Sequence, residues 1–322
     1  MRKVKNDNGG VSGIIPEIRI MTGLDYERIL SRVDSNTYVK IYTYDLYEEI
    51  EFYEACLRHL HKCDVIVNGS GITQRKIDEF NVKLPNVNVI QKPDTHAKMI
   101  LIEPEEVYLS SQNFSRADWF QHAVYIKDRE AYSVYATNAL SYENCNYTGN
   151  IKMNLSHENI GHAIKTSNIS GIYQPDYEGI ILNEIEGKFA ESVNWNQKLN
   201  NVRGRDMYIC THTLPDMKYI RQILDKLCKE GNRIRIIANS SSGDKLCELT
   251  KDYSDLTYYL FNNFHAKMVF YSPQNVGGKG TVWLSSQNFG TSGYFENLVM
   301  LKSNQAYQYY VEKLEEFVGH EL

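Results

Sequence analysis

The sequence predicts a mixed α/β protein of two similar lobes, each a mixed β-sheet flanked by helices, related by a pseudo-twofold. Three observations predict it. First, His96-Ala97-Lys98 recurs as His265-Ala266-Lys267, and each leads through an apolar, strand-like run to the same five residues, Ser-Ser-Gln-Asn-Phe, at 110–114 and 285–289. Second, a shift of 169 residues carries His96 onto His265, Lys40-Ile41-Tyr42 onto Ile209-Cys210-Thr211, and Val65-Ile66-Val67 onto Ile234-Arg235-Ile236. Past the motif the shift is 175, because the second copy holds six extra residues around 273–280; Asn113 then falls on Asn288, Val124 on Val299 and Tyr132 on Tyr307. A register sustained over that length marks an internal duplication. Third, runs with a period of two alternate with runs at helical spacing, the pattern of an α/β sheet with mixed strand directions.

Residues 1–145 are expected to form the first lobe. Its polar, glycine-rich start leads to a short strand, IRIMTG, and Asp25 opens a helix with Ile29, Leu30 and Val33 on one face. Strand 38–44, an amphipathic helix at 46–62, strand 64–71, a short helix at 72–80 and strand 87–92 follow. The motif strands 96–103 and 107–114 are joined by the Pro104-Glu105-Glu106 turn, and strand 123–128 and helix 129–143 close the lobe. Residues 146–175, rich in Gly, Asn and Ser and without a counterpart in the other copy, are expected as a connector. The second lobe, 176–322, begins with EGIILNEIEGKFAE. It then repeats the pattern: strand 207–213, helix 216–230, strands 234–240 and 256–261, the motif strands, and a helix at 306–321.

At 322 residues either lobe is long enough to bury its own core. The net charge of −5 weighs against a strong non-specific nucleic-acid binder but allows a locally basic cleft. The N-terminus lacks the apolar region of a secretory signal, no run of 18 apolar residues exists, and the six cysteines contain no Cys-x-x-Cys pair. These features predict a cytoplasmic protein with free thiols and no membrane association, and are compatible with a homodimer. No Gly-x-Gly-x-x-Gly or P-loop pattern occurs, and His59, His61 and His122 lack metal-ligand spacing.

In His-x-Lys on a strand both side chains share a face, and the same rule groups Ser111 with Asn113 and Ser286 with Asn288. Each lobe therefore offers an imidazole, an ammonium, a hydroxyl and an amide. Two lysines facing each other across a cleft need an anion between them, and a phosphoryl group fits: lysine and amide donors hold its oxygens, one imidazole attacks phosphorus and the other protonates the leaving oxygen.

HAKMILIE followed by SSQN resembles the His-x-Lys-x4-Asp-x6-Gly-Ser-x-Asn signature of the phospholipase D superfamily. The resemblance covers both lobes. It implies two α/β lobes sharing one active site, phosphodiester cleavage through a phosphohistidine, and no metal or other cofactor. By position it implies a catalytic set of His96, Lys98, Ser111 and Asn113 with His265, Lys267, Ser286 and Asn288. The acidic position is Glu103 in the first copy and Ser272 in the second, and Ser110 and Ser285 replace the family glycine. Because the acid is structural in this family, weakened lobe packing is expected rather than lost chemistry. After the asparagines, Gln121 in the first lobe aligns with Glu296 in the second. If each orients its own lobe's histidine, Glu296 makes His265 the better acid and leaves His96 as nucleophile. Arg116, Gln121 and His212 are expected to line the substrate site. Members of the superfamily act on DNA, RNA or phospholipids. A chain without anchors or a basic amphipathic helix favours a nucleic acid, DNA first, and the resemblance extends to metal-independent restriction nucleases, which suggests a defence role. The alternatives are a lipid or small-molecule phosphodiesterase and a catalytically inactive nucleic-acid-binding protein.

Overall fold

The computed structural model describes residues 17–116, 119–144, 173–183, 186–190, 194–253 and 256–319, with the backbone alone at Ser141 and 186–190. Two sheets dominate. The first contains β1 (Glu17–Met21), β2 (Val39–Thr43), β3 (Cys63–Asn68), β4 (Val87–Lys92), β5 (Met99–Ile102), β6 (Glu106–Ser110), β7 (Ala123–Lys127) and β8 (Ile180–Ile181), in the order β4-β3-β2-β5-β6-β7-β1-β8. The second contains β9 (Glu186–Ala190), β10 (Asp206–Thr211), β11 (Arg233–Asn239), β12 (Leu256–Phe261), β13 (Met268–Tyr271), β14 (Thr281–Ser285) and β15 (Leu298–Lys302), in the order β12-β11-β10-β13-β14-β15-β9. Apart from β8 the two orders are the same. In each sheet three strands run parallel and the rest antiparallel. The two predicted lobes and their mixed sheets are present.

The helices are α1 (Tyr26–Ser31), α2 (Ile50–Leu57), α3 (Gln74–Lys83), α4 (Arg129–Asn144), α5 (Trp195–Lys198), α6 (Met217–Lys229), α7 (Gly243–Thr250) and α8 (Asn304–Val318). Side-chain caps start several of them: Asp25 accepts from Arg28 N, Asp216 from Tyr219 N and Ser303 from Ala306 N. Gly319, in the left-handed region at φ 80°, ends α8.

Three details differ from the sequence reading. Ile180–Ile181 pair with β1, so residues 180–181 belong to the first sheet, and the second sheet begins at Glu186 rather than near 176. The uniform register also slips. Tyr42 pairs with Met99 as Cys210 pairs with Met268, and Ile66 pairs with Tyr42 as Ile237 pairs with Cys210. Cys210, not Thr211, is thus the counterpart of Tyr42, and Ile237 that of Ile66; short length differences before each strand are absorbed in loops. Finally, α7 fills a stretch for which the sequence predicts no element. The expected connector lies mostly outside the described residues.

The period of two on β5 sends Met99 and Leu101 into a core shared by both lobes, and Ile100 and Ile102 into the first lobe's outer core. The shared core also takes Leu109, Phe264, Met268 and Leu284, with residues of α4 and α8. Each of these helices sends a tyrosine hydroxyl to the opposite lobe: Tyr135 donates to Leu298 O at 2.7 Å, and Tyr310 to Met21 O at 3.4 Å. This shared layer sets the two motifs against each other.

Candidate active site

The His-x-Lys residues stand just before β5 and β13 rather than on them. What fixes them is the other lobe. Thr95 and Phe295 form an isolated parallel bridge, with His96 N donating to Phe295 O (3.1 Å) and Phe295 N to Asp94 O (2.8 Å). The second copy repeats this: Phe120 pairs with Phe264, His265 N donates to Phe120 O (3.0 Å) and Phe120 N to Asn263 O (2.9 Å). Each bridge delivers the next residue across the junction. Glu296 reaches His96, its oxygens 2.9 and 3.0 Å from Nδ1, and Gln121 Oε1 lies 3.1 Å from His265 Nδ1. The expectation that each residue orients its own lobe's histidine is therefore wrong. The contacts cross, because the residue before each side chain, Phe295 or Phe120, bridges to the opposite lobe's motif segment, a relation invisible to linear alignment.

Lys98 and Lys267 are both 1% exposed. Lys98 Nζ donates to His96 O at 2.6 Å; Lys267 Nζ donates to His265 O at 3.0 Å and lies 3.1 Å from His265 Nε2. Burial pushes Lys98 down to about 8, while Glu296 and Asp45 pull it up. Burial also holds Lys267 well below the usual lysine range, with Lys98 adding to the depression. His96 is held below the ordinary histidine value by burial and Lys98 against the pull of Glu296, and His265 lies well below it through burial and Lys267. Burial works to raise Glu296, but His96, Lys98 and the Ser286 hydroxyl outweigh it and keep the carboxylate ionised. With neutral imidazoles, Nδ1–H donates to Glu296 or Gln121, leaving Nε2 as the basic nitrogen.

β6 and β14 end at Ser110 and Ser285, so the period-two grouping of Ser with Asn does not reach those residues. Ser111 is buried and donates to Gln121 Oε1 at 2.7 Å; Ser286 donates to Glu296, which Ser292 also engages at 2.8 Å. The two motif serines thus hold the side chains that orient the histidines. Asn288 Oδ1 accepts from His212 N (3.2 Å) and Thr213 N (3.1 Å), which turns its amino group the other way. Asn113 accepts from Tyr44 N at 3.3 Å and donates to Asp45 at 3.0 Å. His212 packs beside His265, ring centroids 4.6 Å apart, with its Nδ1 3.2 Å from Phe264 O; burial brings it to about 4. Arg116 borders the same cleft, its guanidinium paired with Glu27.

No family model matches the chain, and no curated protein matches its sequence. Solved structures do match. Phosphatidylserine synthase of Haemophilus influenzae Rd KW20 superposes with a TM-score of 0.59 over 95% of this chain and 88% of its own, at 10% identity. A variant of yeast tyrosyl-DNA phosphodiesterase 1 gives 0.53 over 90% of both chains at 10% identity. Polyphosphate kinase of Porphyromonas gingivalis gives 0.52 over 89% of this chain at 14% identity. The chain spans about half of that kinase, 47%. The fold is that of the phospholipase D superfamily.

Within the phospholipase D-like fold, the departures at the acidic position lie away from the cleft. Glu103 follows β5 at its far end, where Tyr132 hydrogen-bonds it, and Ser272 donates its N–H to Asp206 O while its hydroxyl accepts from Asp206 N. Three residues to which the sequence assigns no role, His122 among them once metal spacing is excluded, belong to the site or its frame. Asp45, half-buried, is pushed up to about 6 by burial against the pull of Lys98. His122 and Asn297 occupy matched positions on either side of the junction. Asn297 Oδ1 accepts from Lys98 N at 2.9 Å, and His122 Nε2–H donates to Ser285 O at 2.7 Å, with burial bringing His122 down to about 3. They follow Glu296 and Gln121 directly, so adjacency to that aligned pair was the available signal. Among the described residues no three His, Cys, Asp or Glu side chains form a metal-binding group, and no helix is long and apolar enough to cross a membrane.

Proposed function

We propose that the protein is a metal-independent phosphodiesterase, a nuclease with DNA as the favoured substrate, acting through a phosphohistidine. The observation that carries this reading is the crossed contact at the lobe junction, where Glu296 meets His96 and Gln121 meets His265, and where each motif lysine acts on the opposite lobe's histidine. Two buried lysines favour an anion, and their ammonium groups with the Asn288 amide suit the oxygens of a phosphoryl group. Attack by neutral His96 puts positive charge on its ring, and Glu296 stabilises that charge. His265 has an amide partner instead; as general acid it loses charge in the transition state and needs no carboxylate. These are the roles named from the sequence but on a different ground. With Glu296 on His96, a carboxylate partner taken as the mark of the acid would exchange them, and it is the support given to the developing His96 cation that keeps His96 as nucleophile. The acid proton arrives with the anionic substrate, which raises the histidine's pKa. Water then attacks the phosphohistidine with His265 as base.

Plasmid, single-stranded DNA, RNA and phosphatidylcholine, each with EDTA, separate the nuclease from a lipid phosphodiesterase and from an inactive binding protein. Cleavage of DNA in EDTA is expected; activity abolished by EDTA and restored by magnesium would sink the mechanism. With a p-nitrophenyl phosphodiester, whose leaving group needs little protonation, His265→Ala should accumulate phosphohistidine on His96 and His96→Ala should form none. An adduct on His265 reverses the roles.

A further inference from the structure

The cleft is matched in its backbone and unmatched in its lining. Tyr44 and Tyr294 flank His96, with ring centroids 5.4 and 5.6 Å away, whereas His212 and Trp119 flank His265 at 4.6 and 6.0 Å. On the His265 side lies a cavity of about 410 Å³ bordered by Asp45, Asn113, Trp119, Gln121, His212 and His265.

Two of its walls have no use in phosphoryl transfer. Trp119 is 38% exposed, with its indole inclined only 27° to the His212 ring, so a large aromatic surface is kept at the cavity rather than in the core. Asp45 is the one carboxylate among the described residues of the lining. One of its oxygens accepts from Asn113, and the other is buried without a partner in the protein. A carboxylate so placed calls for a hydrogen-bond donor. The second copy has Thr213 at this place, since the Thr43 hydroxyl donates to Asp45 O as the Thr211 hydroxyl donates to Thr213 O. The arrangement therefore belongs to the His265 side alone.

The ligand that meets both walls is flat and donates hydrogen bonds. A permanently cationic headgroup fits less well, because Arg116 and the two imidazoles border the cavity and Lys98 already acts on Asp45. We propose that the cavity holds the nucleobase adjoining the scissile phosphate on the His265 side, stacked on Trp119, with an exocyclic amino group donated to Asp45. This rests on the nuclease reading and names its substrate as unpaired nucleic acid, since a base reaches such a cavity only out of the stack. Adenine, cytosine and guanine carry the amino group. Thymine and uracil present one imino donor between two carbonyl oxygens, which a carboxylate repels.

The test uses single-stranded thymidine oligonucleotides carrying one central adenine, cytosine or guanine, with cleavage positions and rates mapped for the full-length protein. Cleavage beside the amino-bearing base is expected to be roughly tenfold faster than within the thymidine run. Asp45→Asn should bring this ratio close to one. The ratio is internal to each preparation and does not depend on the variant's overall activity. Trp119→Ala should slow cleavage beside every base, and Trp119→Phe should restore most of the rate. Uniform cleavage by the wild type, or a ratio unchanged in Asp45→Asn, overturns the proposal. Bis(p-nitrophenyl) phosphate and p-nitrophenyl phosphocholine run alongside: turnover of either without cleavage of any oligonucleotide overturns the nuclease reading itself, and preference for the choline diester assigns the cavity to a cationic headgroup.

Discussion

At His96 and His265 one backbone arrangement presents two different partners, a carboxylate and an amide. Glu296 is 3% exposed, yet ionised, because it sits among His96, Lys98 and Ser286. Glu296→Gln would remove the carboxylate that acts on both buried lysines, leaving Asp45 beside Lys98, and would leave the developing His96 cation without support. kcat/KM should fall on the order of a hundredfold or more, with the fold intact by circular dichroism. The same cluster couples anion binding to protons. His96, His265 and both lysines are depressed in the free protein. A bound tetrahedral anion stabilises their charged forms and raises those values, so the complex holds more protons than the free protein. Affinity must then increase as pH falls towards about 8, the value Lys98 has in the free protein, and further as the depressed histidines take up protons in the complex. Calorimetry with tungstate in buffers of different ionisation enthalpy measures the proton uptake; release of protons on binding would contradict the electrostatics described.

At the scale of elements, the decisive features are two single bridges. Phe120 is fully buried, its ring stacked on Phe264 at 5.4 Å and 12°, and its backbone holds Asn263 and His265. Phe120→Ala should cost about 3–5 kcal/mol, as large aromatic truncations in cores do. It should also lower kcat, since Gln121 and His265 lose their common anchor. Urea denaturation and steady-state kinetics on one preparation test both. Loss of stability with kcat unchanged would show that the bridge is mere packing.

On the scale of the whole molecule, the largest shared layer is the core between the two sheets, to which α4 and α8 each contribute and across which Tyr135 and Tyr310 reach. Lobes joined through such a core should unfold together, giving one calorimetric transition rather than two. His96→Ala combined with His265→Ala should be no worse than either alone, because one site needs both lobes. If each single variant keeps about half the activity, the lobes act separately. For a chain of net charge −5 that meets its substrate through a few cleft lysines, DNA affinity should fall with salt at a log–log slope of roughly −2 to −3.

The sequence by itself determined the duplication, the alternation of strands and helices in each lobe, and the eight motif residues that recur. These are local patterns, written in side-chain period and repeated letters. It could not place the second sheet's start, because Ile180–Ile181 has the composition of any strand and only pairing with β1 assigns it. Nor could it show the slipped register, since loops absorb length differences that a fixed shift does not. The tertiary structure decided what the motifs touch. Ser111 and Ser286 hold Gln121 and Glu296, those side chains cross to the opposite histidine, and Asp45 closes one side of the cleft. The two serine contacts lie within a lobe, but the two histidine contacts join residues 144 and 200 positions apart across the pseudo-twofold, and such partners are chosen by how two folded surfaces meet.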